Sequence, residues 1–350
     1  MQTKIIVAIF FAGAVGVSSQ AAELPSPDTP SPSQAAELRS PDTPSSPKVA
    51  ELLSPDTLSE TERVGSVEAE MKGALVLRGQ VLLDRAHFSS GEIDAAYGQN
   101  LRMAIQGYQK SQGLTVTGNI DAPTWEALSV DVAPILQPYT ILQADIDGPY
   151  VSIRKTWAGK AKMAALGFES VEEALAERFH VSPALLKQLN PDKVMSRVGE
   201  VIVVPNIATN DLPKAEKVII DGSDSTLALV DADGKVIAQF PVTKGSKHDP
   251  LPRGKWKVTG VMHNPVFHYN PSLFWDAKPK DAKATVPAGP NNPVGVVWVA
   301  FSKAHYGIHG TSEPSTIGKT QSHGCIRLTN WDATVLAQSV VTGVIVLIRK

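Results

Sequence analysis

The sequence predicts a multidomain α+β fold, in which two small modules that contain helices precede a mainly β, sandwich-like C-terminal domain. Apolar residues recur at helical intervals within residues 92–110, and a second helical stretch spans 173–190. From residue 214 to the end, short runs rich in β-branched residues alternate with turn residues. A length of 350 residues is compatible with two domains or slightly more.

Composition and charge exclude some classes of partner. Hydrophobic residues make up 43% of the chain and charged residues 19%, which is an ordinary globular balance. The formal net charge is −2, without a basic run suited to nucleic acid and without an acidic tail. We therefore expect no nucleic-acid partner.

The N-terminus is typical of a secretory signal peptide, predicted over residues 1–21. Lys4 precedes a 13-residue apolar run at 5–17, and Ser19 and Ala21 suit cleavage after Ala21. The alternative is a short membrane anchor, but a spanning helix needs about 20 apolar residues. We expect an exported protein of the periplasm or cell wall, with no stable membrane span.

Residues 22–65 form a predicted linker. The triplet Ala-Glu-Leu begins at Ala22, Ala36 and Ala50, and each copy continues to Ser-Pro-Asp-Thr, with a period of 14 residues. So much proline and so few large apolar groups cannot build a core, which favours a tether. A docking motif is the alternative.

Residues 66–132 are predicted to be a small helical domain. Leu101, Ile105 and Tyr108 share one helix face, and Asp121 is placed to cap a short second helix. Across about 74–128, including the segment GLTVTGNIDAPTW, the sequence resembles the type 1 peptidoglycan-binding domain, a three-helix module. A generic helical subdomain is the alternative.

Residues 137–207 are predicted to form a strand–helix–helix–strand module. The segment 173–190 reads as helix, turn, helix, with Ser182 before the second helix, and 199–205 reads as a closing strand. This arrangement resembles a LysM module, a fold that binds glycans containing N-acetylglucosamine. Residues 144–170 depart from that pattern, because they insert where a tight loop is expected.

The C-terminal domain is predicted over residues 214–350. Its strand-like runs are 217–221, 226–230, 235–240, 255–262 and 295–301. A hairpin loop is predicted at 231–234. Regular short strands with turn punctuation indicate a β-sandwich or barrel.

Cys325 is the one cysteine of the sequence, and an exported chain cannot use it for an internal disulfide. It follows Ser322, His323 and Gly324, and His309 lies 16 positions upstream. A cysteine acyl-transfer enzyme needs a histidine to take the thiol proton, giving a thiolate–imidazolium pair, and backbone donors for an oxyanion. This pattern predicts Cys325 as a nucleophile.

Two histidines compete for the role of base. His323 is only two residues from Cys325, a geometry that rarely aims a ring nitrogen at the sulfur. His309 comes from a separate segment, so it is the predicted base and then acid, with a backbone carbonyl near Gly310 orienting its other nitrogen. His323, Ser322 and Gly324 would then line the pocket and the oxyanion region.

Two other interpretations of this cluster stay open. Cys325 could be a small buried residue beside a histidine that is satisfied by hydrogen bonds. His309, His323 and Cys325 could also bind zinc, although their spacing matches no usual zinc pattern. We expect neither a metal nor another cofactor.

The segments HGT at 309–311 and SHGCIRL at 322–328 resemble the catalytic domain of YkuD-type L,D-transpeptidases. Two upstream segments, 243–245 and 251–256, also resemble this family, so the resemblance covers about 215–349. It implies that Cys325 attacks the third residue of a peptidoglycan tetrapeptide stem, forming a thioester that an amine then resolves. The acceptor would be another stem, giving a 3→3 cross-link, or the lysine of a wall-anchored lipoprotein, or water.

The substrate-binding residues predicted with this resemblance are Arg327, Tyr306 and Trp275. Arg327 could bind a substrate carboxylate or form an ion pair within the fold. Residues 263–294 lack strand periodicity and are long for a loop, so they are predicted to cover the cysteine, with Tyr269, Phe274 and Trp275 facing substrate.

Peptidoglycan stems and glycan strands are the expected partners. The alternative functions are an L,D-carboxypeptidase or endopeptidase, or a non-catalytic wall-binding protein.

Overall fold

The computed structural model describes residues 65–350. The predicted signal peptide, and the linker up to residue 64, lie outside the described residues. Within residues 65–350, no helix combines the length and the apolar character needed to cross a membrane.

Three helices form the N-terminal module: α1 (Ala74–Arg85), α2 (Gln99–Ser111) and α3 (Ala122–Leu128). As predicted, the Asp121 carboxylate caps α3 by accepting the backbone N–H of Thr124 at 3.2 Å. Leu101 and Ile105 are buried in the core of this module. The predicted helix at 92–110 begins later than expected, at Gln99.

The middle module pairs two strands, β1 (Leu136–Thr140) and β2 (Val201–Pro205), in antiparallel register, with Pro138 opposite Val203. Four helices lie between these strands: α4 (Gln143–Ile146), α5 (Trp157–Lys160), α6 (Val171–Arg178) and α7 (Pro183–Leu189). The predicted helix–turn–helix corresponds to α6 and α7, whose packing buries Leu175, Leu185 and Leu186. The inserted segment supplies α5 and much of α4.

The C-terminal domain is built on one eight-stranded mixed sheet. Its strands are β3 (Lys217–Asp221), β4 (Thr226–Val230), β5 (Val236–Pro241), β6 (Gly254–His263), β9 (Val297–Phe301), β10 (Gly307–His309), β11 (Ile326–Arg327) and β12 (Ile345–Arg349). Their order across the sheet is β11-β10-β9-β6-β12-β3-β4-β5. Helix α8 (Asn330–Ser339) packs its Leu336 into the core shared by these strands.

This sheet curls until its two ends meet. Beyond β5, Thr243 donates its N–H to the carbonyl of Arg327 at 3.0 Å and accepts the Arg327 N–H at 2.9 Å. Ser322 donates its N–H to the carbonyl of Lys244 at 2.9 Å. We call this contact between 243–245 and 322–327 the closing seam. The sandwich-like expectation is therefore corrected to a single curled sheet, and the barrel alternative describes it better.

The excursion at 263–294 was expected to lack strands, and this expectation is wrong in part. Two short strands, β7 (Phe267–Tyr269) and β8 (Ala284–Val286), pair in antiparallel register with His268 opposite Thr285. Three-residue strands are too short to show an alternating pattern, which explains why the sequence did not indicate them.

Polar and aromatic contacts join the three modules. The Ser89 hydroxyl, after α1, donates to the Asp332 carboxylate of α8 at 3.1 Å. His180, after α6, lies 3.0 Å from the Asp84 carboxylate and stacks on Trp331 with ring centroids 4.9 Å apart. The modules therefore share a buried interface.

Burial at this interface raises carboxyl pKa values. The pKa of Asp332, which is 2% exposed, rises to about 7, first because of burial and second because of the nearby Asp84. Burial also raises the pKa of Glu177 to about 7, although Asn330 donates to its carboxylate at 3.0 Å. Both groups bind protons more tightly in the folded state than in the unfolded chain.

We predict that Asp332→Asn increases the melting temperature more at pH 8 than at pH 5. The pKa of Asp332 is 3.8 when unperturbed and about 7 in the fold, so the wild-type chain loses stability as pH rises between these values. An amide does not ionise, so the variant avoids that loss. Thermal denaturation across this range measures the effect, with exposed Asp211→Asn as the control. An equal shift at both pH values would contradict the prediction.

Candidate active site

The closing seam places Cys325 directly before β11. Strand β11 runs parallel to β10, with Ile308 opposite Ile326 and His309 opposite Arg327. Because side chains alternate along a strand, the buried Ile326 points into the core while Cys325 and Arg327 face the other side, together with His309. The thiol donates to the carbonyl of His305, with sulfur and oxygen 4.0 Å apart.

His309 is 3% exposed and fixed on two sides. Its Nδ1 lies 2.6 Å from the carbonyl oxygen of Gly310, which confirms the predicted carbonyl acceptor. A carbonyl only accepts, so Nδ1 carries the proton and Nε2 is left as an acceptor. The ring stacks on Trp298, with centroids 5.3 Å apart and an angle of 7° between the planes.

Burial keeps both of these side chains neutral. It raises the pKa of the Cys325 thiol to about 11, although the Gly307 N–H donates to the sulfur and Arg327 lies nearby. Burial and, second, the charge of Arg327 lower the pKa of His309 to about 3. The sequence had predicted a thiolate–imidazolium pair. Both pKa shifts instead favour a thiol and a neutral imidazole, because burial disfavours the charged form of each group.

The loop before Cys325 is held by its own polar groups. The Ser322 hydroxyl donates to the Cys325 carbonyl and so fixes the loop. Gly324 has φ +100°, a conformation that L side chains rarely adopt. A Cβ at Gly324 would lie 3.0 Å from the ring of Tyr306. Tyr306 therefore packs beneath this loop, and it is not among the residues that line the pocket.

His323 differs from His309 in position and partner. Its Nε2 lies 3.0 Å from the carboxylate of Asp276, in the excursion, and its ring meets Phe274 edge-on at 5.0 Å. His323 lines the pocket as predicted. Asp276 occupies the Nε2 of His323, so only Nδ1 of this ring is left to accept a proton.

Arg327 has a free guanidinium. Within residues 65–350, no carboxylate lies within 4.0 Å of it, and the side chain makes no hydrogen bond. Burial lowers the pKa of Arg327, and electrostatic interactions with Cys325 and Glu313 raise it by a smaller amount. The ion-pair alternative from the sequence is therefore wrong, and the charge is available to an anionic ligand.

These side chains line one cavity of about 270 Å³. The sequence-predicted members are Ser322, His323, Cys325, Arg327 and His309, and from the excursion Tyr269 and Phe274. Trp275 does not line this cavity. It is 59% exposed and stacks on His248, with centroids 5.0 Å apart.

Several lining residues were missed from the sequence. Trp298 supports His309, Asp276 pairs with His323, and Trp157 reaches the cavity from the inserted segment of the middle module. Alternation within 295–301 could have indicated which way Trp298 faces. No local signal connects Trp157 to the cysteine, because 168 positions separate them.

The zinc alternative finds no support in the geometry of the described residues. Across residues 65–350, no group of three or more His, Cys, Asp or Glu side chains converges as a metal site would require.

Two parts of the chain match known protein families. The sequence model of the YkuD L,D-transpeptidase catalytic domain matches residues 215–348, and that of the "Putative peptidoglycan binding domain" matches 72–128. The "Putative L,D-transpeptidase YkuD" of Bacillus licheniformis is 32% identical over 174 residues, covering 49% of this chain and 88% of that protein. The protein of the same name in Bacillus subtilis is 30% identical over 179 residues, covering 51% of this chain and 92% of that protein. The "Putative L,D-transpeptidase YqjB" of Bacillus subtilis is 32% identical over 148 residues, covering 41% of this chain and 76% of that protein.

We predict that His309→Ala is more damaging than His323→Ala. Loss of a general base costs about 10²- to 10⁴-fold in rate. Loss of His323 removes only a side chain that lines the pocket, so we expect about tenfold or less. Turnover of a peptidoglycan tetrapeptide, the substrate that the resemblance implies, measures both. The reverse ranking would transfer the role of base to His323.

We also predict that kcat/KM varies little between about pH 5 and 9, because both groups keep their neutral forms there. His309 accepts a proton only above its pKa of about 3, and Cys325 stays a thiol below its pKa of about 11. Initial rates across this range test the prediction, with thermal melts at each pH as the control. An acidic limb near pH 6.5 would contradict it, since that is the titration of an ordinary histidine.

Proposed function

We propose, on the premise that the chain belongs to the YkuD family of L,D-transpeptidases, that it transfers peptidoglycan stems through a thioester on Cys325. The observation that carries this proposal is one cavity in which the thiol, the acceptor nitrogen of His309 and the unpaired guanidinium of Arg327 lie together. A nucleophile, a base and an anion-binding group are the parts that peptide acyl transfer requires.

The first half of the reaction acylates the cysteine. The sulfur attacks the carbonyl at the L-centre of the third stem residue, meso-diaminopimelate, while the thiol proton passes to Nε2 of His309. Collapse of the tetrahedral intermediate breaks the C–N bond to the terminal D-alanine. His309 returns the proton to the departing amine, and a thioester remains on Cys325.

The second half regenerates the thiol. An acceptor amine attacks the thioester, His309 removes one of its protons, and the C–S bond breaks as that proton returns to the sulfur. A second stem as acceptor gives a 3→3 cross-link. The lysine of an anchored lipoprotein would attack the thioester in the same way. Water could also be the acceptor, and the protein would then be a carboxypeptidase or endopeptidase.

Arg327 supplies recognition in this proposal. A tetrapeptide stem carries carboxylates near the bond that breaks, and a half-buried guanidinium without a protein partner binds such groups strongly. The charge of Arg327 also lowers the pKa of His309. A carboxylate that binds Arg327 would therefore change how readily His309 accepts a proton.

The N-terminal modules fit attachment to the wall. The helical module matches the peptidoglycan-binding domain, and we propose that it binds the polymer near the cavity. We propose a LysM-like fold for 137–207, supported by β1 and β2 pairing across two main helices. Export to the periplasm or wall is proposed from the apolar run at 5–17, because the substrate lies outside the cytoplasm.

We predict that wild-type protein incubated with purified disaccharide-tetrapeptides gains the mass of a disaccharide-tripeptide acyl group on Cys325 and produces cross-linked dimers. Cys325→Ala should lose both products while keeping its melting temperature, since the thiol is small and the hydrogen bond that it donates is long. Intact mass spectrometry and chromatography of the products provide the measurements.

The products distinguish the remaining functions. Tripeptides without dimers would indicate that water is the acceptor. A folded wild-type protein that neither gains the adduct nor changes the fragments would favour the non-catalytic wall-binding alternative. Cross-linking by Cys325→Ala would overturn the nucleophile assignment.

A further inference from the structure

The inserted segment at 144–170 brings part of the middle module to the catalytic cavity. It lies between β1 and α6 and contains α5, which begins at Trp157. Trp157 lines the same cavity as Cys325, His309 and Arg327. Trp157 is thus a lining residue that comes from outside 214–350.

Trp157 begins a continuous row of rings that ends beside the nucleophile. Its indole stacks on Tyr269, with centroids 4.0 Å apart and planes 14° apart. Tyr269 lies 5.2 Å from Phe274, and Phe274 lies 5.0 Å from the ring of His323. We call these four residues the aromatic row. It runs from the inserted segment to the residue two positions before Cys325.

The row is fixed at its centre. The Tyr269 hydroxyl donates to the carboxylate of Asp281 at 3.2 Å, and this contact, after burial, helps to raise the pKa of Tyr269 to about 12. Lys160, one turn along α5, places its ammonium 5.6 Å from the centroid of the Trp157 ring. Trp157 therefore has two defined neighbours and a restricted orientation.

Backbone contacts also hold the inserted segment against the excursion. Leu166 is fully buried; it donates its N–H to the carbonyl of Ala288 and accepts the N–H of Asn291, each at 2.9 Å. Gly289 has φ +143°, and a Cβ there would lie 2.1 Å from the Leu166 carbonyl oxygen. The inserted segment is thus held in a fixed position at the catalytic cavity.

We infer that Trp157 is a specificity-determining residue, which seats the aliphatic part of the donor stem against the aromatic row while Arg327 holds a carboxylate of the same stem. This inference rests on the proposed function. The chemistry fits because a stem peptide carries methyl and methylene groups between its carboxylates. An indole buries a large apolar area at a small cost in conformational entropy.

The test compares full-length wild-type, Trp157→Ala, Trp157→Phe and Lys155→Ala proteins. Lys155 is exposed on the same segment and serves as the matched control. Tetrapeptide turnover gives KM and kcat for each protein. The rate at which iodoacetamide alkylates Cys325 is measured in parallel, because this small reagent does not need the aromatic row.

We predict that Trp157→Ala raises KM by about three- to tenfold, while Trp157→Phe recovers most of the loss and Lys155→Ala matches wild type. Alkylation of Cys325 should change by less than about twofold in every variant. These results together would support the inference.

Two other outcomes would overturn it. If Trp157→Ala kept the wild-type KM and kcat, Trp157 would not contact substrate. If alkylation and melting temperature changed in step with KM, Trp157 would act only through the fold. A wild-type protein that alkylates normally but never forms the thioester would overturn the proposed function first, and this inference with it.

Discussion

The closing seam is the contact on which the catalytic site depends. An open sheet of eight strands has two unpaired edges, and here those edges satisfy each other through the reciprocal hydrogen bonds of Thr243 and Arg327. Ser322 is tied to the opposite edge by its own N–H. The nucleophile lies between these two anchor points, so the position of the sulfur is set by backbone hydrogen bonds.

The electrostatics of the cavity follow from that position. Burial disfavours charge on both Cys325 and His309, and the free guanidinium of Arg327 adds a positive field. A carboxylate that binds Arg327 would neutralise this field and make His309 a better base. Substrate binding and proton transfer are thereby linked in the same cavity.

Much of the catalytic core was predictable from the sequence, because its signals are local. The runs at 217–221 and 226–230 match β3 and β4 residue for residue, and His309 and Cys325 stand in recognisable motifs. The aromatic row was predictable only in part. Tyr269 and Phe274 were expected to face substrate and do line the cavity, whereas Trp275, expected beside them, faces solvent.

What the sequence could not indicate depends on contacts between distant segments. The orientation of Trp275 is decided by where the excursion folds back, and composition does not encode that. The position of Trp157 depends on Leu166 docking against Ala288, more than 100 residues later. The choice between a sandwich and a closed, curled sheet stayed open for the same reason, since strand patterns give the direction of side chains and not the closure of the sheet.

The interface between modules has a consequence for how such chains evolve. Trp331 and Asp332 belong to the catalytic domain, but His180 covers one and Ser89 bonds to the other. Replacing the middle module by recombination would uncover the indole, and replacing the helical module would remove the hydroxyl that donates to the carboxylate, unless the incoming module carried matching groups. The parts of the chain are thus interdependent, and their inheritance as a unit is favoured.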